Sequence, residues 1–171
     1  MNTKSLVSMA LLVGIGAVLH TVVPAIFMIK PDLMLTMMFL AIILFPQFKN
    51  VIILGCVTGF ISGMTTGFPG GFIPNIIDKI VTAIIFYLLL VLLKKAASSI
   101  VAIGALTFIG TLISGLVFLG SAYLIAGLPD SFLALFSIGV LPATIVNTIL
   151  MVVIYPIVKG ILKKSNILAA Q

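Results

Sequence analysis

The sequence predicts an all-α integral membrane protein with six transmembrane helices and both termini on the cytoplasmic side. Three observations lead there. Of 171 residues, 63% are hydrophobic and 7% charged, with a mean hydropathy of +1.46, whereas soluble domains run at roughly 45–50% apolar and 25% charged. The apolar residues fall into six runs separated by short polar or Gly/Pro-rich segments, and the lysines concentrate in alternate segments between those runs. A crossing of the hydrocarbon core, about 30 Å thick, takes about 20 apolar residues. The length therefore accommodates about six short-looped spans in a single transmembrane domain over residues 1–171, with no room for a soluble one.

The first span, 5–23, follows Lys4 and shows no small-x-small cleavage site before His20, so it reads as a retained helix rather than a signal peptide. A turn containing Pro24, Lys30, Pro31 and Asp32 leads into the second span, 33–46, and the segment from Pro46 to Asn50 leads into the third, 51–66. The Gly/Pro-rich stretch from Gly67 to Asn75 precedes the fourth, 76–93. The pair Lys94 and Lys95 precedes the fifth, 99–127, and Leu128, Pro129 and Asp130 precede the sixth, 132–158. With the N-terminus inside, cytoplasmic segments hold Lys4, Lys49, Lys94, Lys95, Lys159, Lys163 and Lys164, against Lys30 and Lys79 outside. Lysine bias in short loops sets orientation, so both termini are expected in the cytoplasm of a bacterial cell.

Composition removes most chemistry. Nine basic residues, all lysine, and three acidic ones, all aspartate, give a formal charge of +6. These lysines punctuate apolar runs instead of clustering with aromatic platforms on a soluble face, so nucleic acid is not an expected partner. Cys56 is the single cysteine, which excludes disulfide frameworks and cysteine-based zinc sites, and no metal or cofactor is expected. HExxH, GxSxG, Walker A and paired-acid patterns do not occur, so an enzyme is not expected and active transport would draw on an ion gradient or a partner ATPase. A channel would need a filter or a charge ring, and neither is visible.

The second and third spans are short, about 20 to 24 Å at 1.5 Å per residue, and short or Gly/Pro-interrupted segments point to transporter sites. They border the polar segments 30–32 and 65–79, which directs attention to the outer half. Asp78 and Lys79 are adjacent charges at the membrane boundary. Asn75 and Asp78 also match a helix capping box, and Thr82, four residues beyond Asp78, shares its helical face. In the loop Phe68-Pro69-Gly70-Gly71-Phe72-Ile73-Pro74, a tight turn explains the glycines and prolines, while Phe68 and Phe72 suit either a flat apolar ligand or interfacial anchoring. His20 either satisfies a backbone carbonyl or serves a proton-sensitive site. Lys30 and Asp32 flank Pro31 in an outer loop. Asn147 lies mid-span, where its amide needs an interhelical or a substrate partner. Thr107, Thr111, Ser114 and Ser121 recur at helical spacing as a packing face. Ala10 and Gly14 form a small-xxx-small pair continued by Ala17, suited to internal packing or to docking on another membrane subunit.

The segments Met9-Ala10-Leu11-Leu12-Val13-Gly14, Lys30-Pro31-Asp32-Leu33-Met34-Leu35-Thr36-Met37-Met38-Phe39 and Phe68 to Lys79 resemble the bacterial tryptophan transporter family. That family is similar in layout to substrate-binding S components of energy-coupling-factor (ECF) transporters. The resemblance covers essentially the whole chain and implies an S-component-like bundle, an outward-facing site capped by loops, and docking of the first helix on an ECF coupling subunit with its ATPases. S components typically carry Ala-xxx-Ala there; Gly14 replaces the second alanine. For L-tryptophan as substrate, Asp78 or Asp32 would meet the ammonium and Lys79 or Lys30 the carboxylate. Phe68 and Phe72 would cover the ring, Asn147 or His20 would take the indole N–H, and Gly70 with Gly71 would let the loop close. Asn75 and Thr82 complete the candidate set. An S component for a vitamin or other small aromatic ligand, and a membrane packing or assembly protein, are the alternatives.

Overall fold

The computed structural model describes residues 3–22, 32–93 and 99–165. Six helices account for nearly all of them: α1 (Thr3–Val22), α2 (Leu33–Leu44), α3 (Phe48–Met64), α4 (Phe72–Leu92), α5 (Ile100–Ile125) and α6 (Phe132–Lys164). Four of these are long and apolar enough to cross a membrane, and α2 and α3 are shorter apolar helices. The result is an all-helical membrane bundle.

Local chemistry sets the helix ends. Asp32 caps α2, its Oδ1 accepting the Leu35 N–H at 2.9 Å, and Ser99 and Ser131 cap α5 and α6 in the same way. The α4 helix begins at Phe72, four residues earlier than the sequence suggests, because Pro74 is tolerated in a first turn whose N–H groups have no intrahelical acceptor. Asn75 is consequently inside the helix, and no capping box forms. Its Nδ2 instead donates to the Gly71 carbonyl at 2.8 Å. The third helix likewise starts earlier than expected, at Phe48, and the sixth runs on to Lys164. Near its start, α6 widens into a π-helical turn over Phe136–Val140, where the Leu141 N–H donates five residues back to Phe136. Pro142 follows at once and has no N–H to offer.

Packing places α2 at the centre. Its 12 residues are apolar nearly all round and almost all buried, the signature of a helix enclosed by others. On α3, Gly55, Gly59 and Gly63 recur every four residues against α4. A Cβ there would sit 3.0 Å from the Ile80 Cα, 3.0 Å from the Ile76 Cα and 2.8 Å from the Phe72 carbonyl oxygen, respectively. Only glycine permits this backbone approach. Gly110 of α5 lies against the rings of Phe39 and Phe86, which stack at 3.9 Å between centroids. The α3 glycines set the end of α3 beside the start of α4 at one end of the bundle, and Gly110 with the stacked rings joins α5 to α2 and α4.

Candidate functional site

Three charges meet at that end. Lys79 Nζ donates to Asp78 Oδ2 at 2.6 Å and to Asp32 Oδ2 at 2.7 Å, linking α4 to the N-terminus of α2. Asp78 also accepts from Thr82 Oγ1 at 2.8 Å and from Ser114 Oγ on α5 at 2.9 Å. Asp78 and Lys79 are each 1% exposed. Charges within a membrane helix cost about 2.5 kcal/mol or more, and here mutual pairing and the two hydroxyls offset that cost. His20 Nδ1 lies 3.9 Å from Asp32 Oδ1. Burial acts to raise the Asp32 carboxyl, but Lys79 and His20 together hold it below its ordinary value. One ammonium against two carboxylates leaves a formal charge of −1.

This cluster forms one side of a cavity of about 330 Å³, within the range of about 300–1,000 Å³ common for small-molecule sites. His20, Asp32, Asn75, Asp78 and Lys79 contribute its polar wall, together with Ser62, Thr66, Thr111 and Ser114. The rest is mostly apolar: Phe68, Phe118 and Leu119 on one side, Leu135, Val140 and Ala143 of α6 on another. Phe68 and Phe118 meet edge to face at 5.2 Å. Phe68 is aimed by a tight turn in which Thr66 Oγ1 accepts the Phe68 N–H and the Gly71 N–H donates to the Phe68 carbonyl. Within it Gly70 adopts φ +68°, the conformation a turn of type II requires after proline.

The predicted residues divide accordingly. Asp78, Lys79, Asp32, Asn75, His20 and Phe68 share the cavity wall. Thr82 stands behind Asp78 as its hydrogen-bond donor, and Gly70 and Gly71 shape the turn. Phe72 does not face Phe68 across the cavity; it is 41% exposed and packs edge-on to Phe60. Asn147 is fully buried outside the wall, its amide oxygen and nitrogen without partners among the described residues. Lys30 lies outside the described residues. Ala10 and Gly14 lie on an exposed face of α1, whereas Ala17 is half-buried and packs on the core.

Several wall residues escaped the sequence reading. Ser114 is not merely part of a packing face, since it donates to Asp78, and Thr111 lines the cavity beside it. Phe118 meets Phe68 edge to face on the wall, where Phe68 and Phe72 were expected to cover the ring together. The helical spacing of Thr107, Thr111 and Ser114 marked the correct face of α5, and Phe118 follows on it four residues after Ser114. Ser62 had a weaker signal, its position beside Gly63 in the glycine-spaced face of α3.

Fold and site together define a small multi-pass membrane protein with a partly open, ligand-sized cavity between its helices. Residues 2–163 match the family described as tryptophan transporter TrpP, and the chain belongs to that family. It is 53% identical over 171 residues, 99% of each chain, to the probable tryptophan transport protein of Bacillus subtilis (strain 168). It is 44% identical over 160 residues to that of Clostridium acetobutylicum, covering 93% of this chain and 94% of the relative. With that of Clostridium perfringens it shares 39% identity over 177 residues, 98% of this chain and 97% of the relative. No solved structure matches.

Proposed function

We propose that the protein mediates uptake of tryptophan across the bacterial cell membrane through a site that opens to the outer side. The observation that carries this reading is a cavity with a buried cluster of formal charge −1 on one side and an edge-to-face phenylalanine pair on another. A zwitterionic aromatic amino acid has matching parts. Its ammonium is assigned to Asp78 and Asp32, its ring to Phe68 and Phe118, and Lys79 is assigned a positioning role because both carboxylates already claim it. Outward opening follows from the lysines: Lys4, Lys49, Lys159, Lys163 and Lys164 sit at helix ends opposite the cavity, and the side rich in lysine is the cytoplasmic one. Both termini are then cytoplasmic.

The test is a thermal-shift or calorimetric titration of the detergent-purified chain with L-tryptophan, other aromatic amino acids and several vitamins. Saturable stabilisation by tryptophan is expected, about 2.7 kcal/mol at one hundred times Kd. Stabilisation by a vitamin alone would replace the substrate, and silence across the panel would defeat the binding reading.

The energy source is proposed to be a partner ECF coupling subunit with its ATPases, docked on α1. Ala10 and Gly14 are exposed there, and a Cβ on Gly14 would meet nothing within 4 Å, so another helix can approach closely. Ala10→Leu/Gly14→Leu is expected to keep tryptophan binding by the isolated chain while abolishing copurification and uptake. Unchanged uptake would remove the docking role from this face.

A further inference from the structure

One hydroxyl on the cavity wall is left without a partner. Ser62 of α3 is 1% exposed, belongs to the wall, and its Oγ makes no hydrogen bond among the described residues. Its neighbours behave otherwise: Thr58 of the same helix and Thr65 at its C-cap turn their hydroxyls back onto the carbonyls of Leu54 and Ile61, the usual way such a group satisfies itself in apolar surroundings. Of the other wall hydroxyls, Thr111 donates to the Thr107 carbonyl, Ser114 donates to Asp78, and Thr66 Oγ1 accepts the Phe68 N–H. A buried hydroxyl with no partner is costly, and a group within the cavity removes that cost.

The charged cluster indicates which group this is. Lys79 spends its contacts at 2.6 and 2.7 Å on two carboxylates, and a third carboxylate beside it would add negative charge to a cluster already at −1. The cluster therefore suits an ammonium, and an amino acid's carboxylate needs a donor elsewhere. Ser62 is a free donor on a wall helix that contributes no charge to the cluster.

We propose that Ser62 Oγ donates to the substrate's carboxylate, while the Asp32–Lys79–Asp78 cluster reads only the ammonium. This rests on the tryptophan-uptake reading and adds a division of labour to it: the amine is the obligatory charge, and the carboxylate is recognised by a neutral hydroxyl.

The experiment is calorimetry on the full purified chain and its Ser62→Ala variant with L-tryptophan, tryptamine, which lacks the carboxylate, and indole-3-propionate, which lacks the amine. The unaltered chain is expected to bind L-tryptophan and tryptamine and not indole-3-propionate. Ser62→Ala should weaken L-tryptophan on the order of 10- to 100-fold, the range for a hydrogen bond to a charged group, and leave tryptamine unchanged. Retained tryptamine binding also reports that the variant is folded. Ser62→Cys, similar in size and a weaker donor, should fall between serine and alanine for L-tryptophan alone. Equal weakening of both ligands, or no weakening of L-tryptophan, overturns the role of Ser62. Binding of indole-3-propionate, or of L-tryptophan without tryptamine, overturns the ammonium-only reading of the cluster and leaves tryptophan uptake standing. Failure of L-tryptophan to bind the unaltered chain defeats the uptake reading and this inference with it.

Discussion

Lys79→Met is expected to lower stability by about 3–5 kcal/mol, the cost of removing one partner from a buried ion pair. The cost arises because Asp32 and Asp78 lose their shared cation at 2.7 and 2.6 Å, leaving Asp78, which is 1% exposed, with only the hydroxyls of Thr82 and Ser114. Methionine matches the lysine stem in size, so the effect isolates charge from packing. Thermal unfolding in detergent measures it, and a midpoint equal to that of the unaltered protein would mean that the cluster does not hold α2 to α4. Lys79→Met/Asp32→Asn should recover part of the loss, because removing one carboxylate relieves the repulsion between the two.

The second large effect concerns binding. Asp78→Asn keeps the side-chain volume and the hydrogen bonds with Thr82 and Ser114 within reach, but it brings the formal charge of the cluster from −1 to zero. If Asp78 meets the substrate ammonium, L-tryptophan affinity should fall on the order of 100-fold, since truncating one partner of a buried charge pair costs roughly 2–5 kcal/mol, with the variant still folded. Asp130→Asn serves as the control, since Asp130 is exposed and accepts the adjacent Ser131 N–H. It should bind as the unaltered protein does. Undiminished tryptophan binding by Asp78→Asn would remove the carboxylate from the site and shift the ammonium to Asp32 alone.

Both predictions depend on the bundle holding distant residues together, and the sequence shows only part of that. Asp78, Lys79 and Phe68 were legible as candidates because rare charges and a Gly/Pro turn stand out in an apolar chain. Asn75 was legible as a candidate for the site, which it lines, and for a capping box, which does not form because Pro74 belongs to the first turn of the helix and not to the loop. Phe72 was misjudged for a related reason. Once the helix begins at Phe72, that side chain turns outward toward Phe60, and Phe118, 50 residues from Phe68, closes the wall instead.

The sequence by itself determined that the protein is a bundle of apolar helices, where its runs break, and that two of its three aspartates, Asp32 and Asp78, fall in the segments 30–32 and 65–79. These are local properties, written in composition and in the placement of glycine, proline and lysine. Only the tertiary structure decided that Lys79 pairs with Asp32, 47 residues away, that Ser114 turns to Asp78, and that Ser62 joins the cavity wall with no hydrogen-bond partner among the described residues. The physical reason is that helical spacing shows which residues share a face but not which helix that face meets. In soluble proteins an apolar stripe marks the inner face, whereas these helices are apolar nearly all round. Steric fit and ion pairing supply what that stripe would have shown: the glycines of α3 against the α4 backbone, Gly110 against two stacked rings, and Lys79 of α4 on Asp32 at the start of α2.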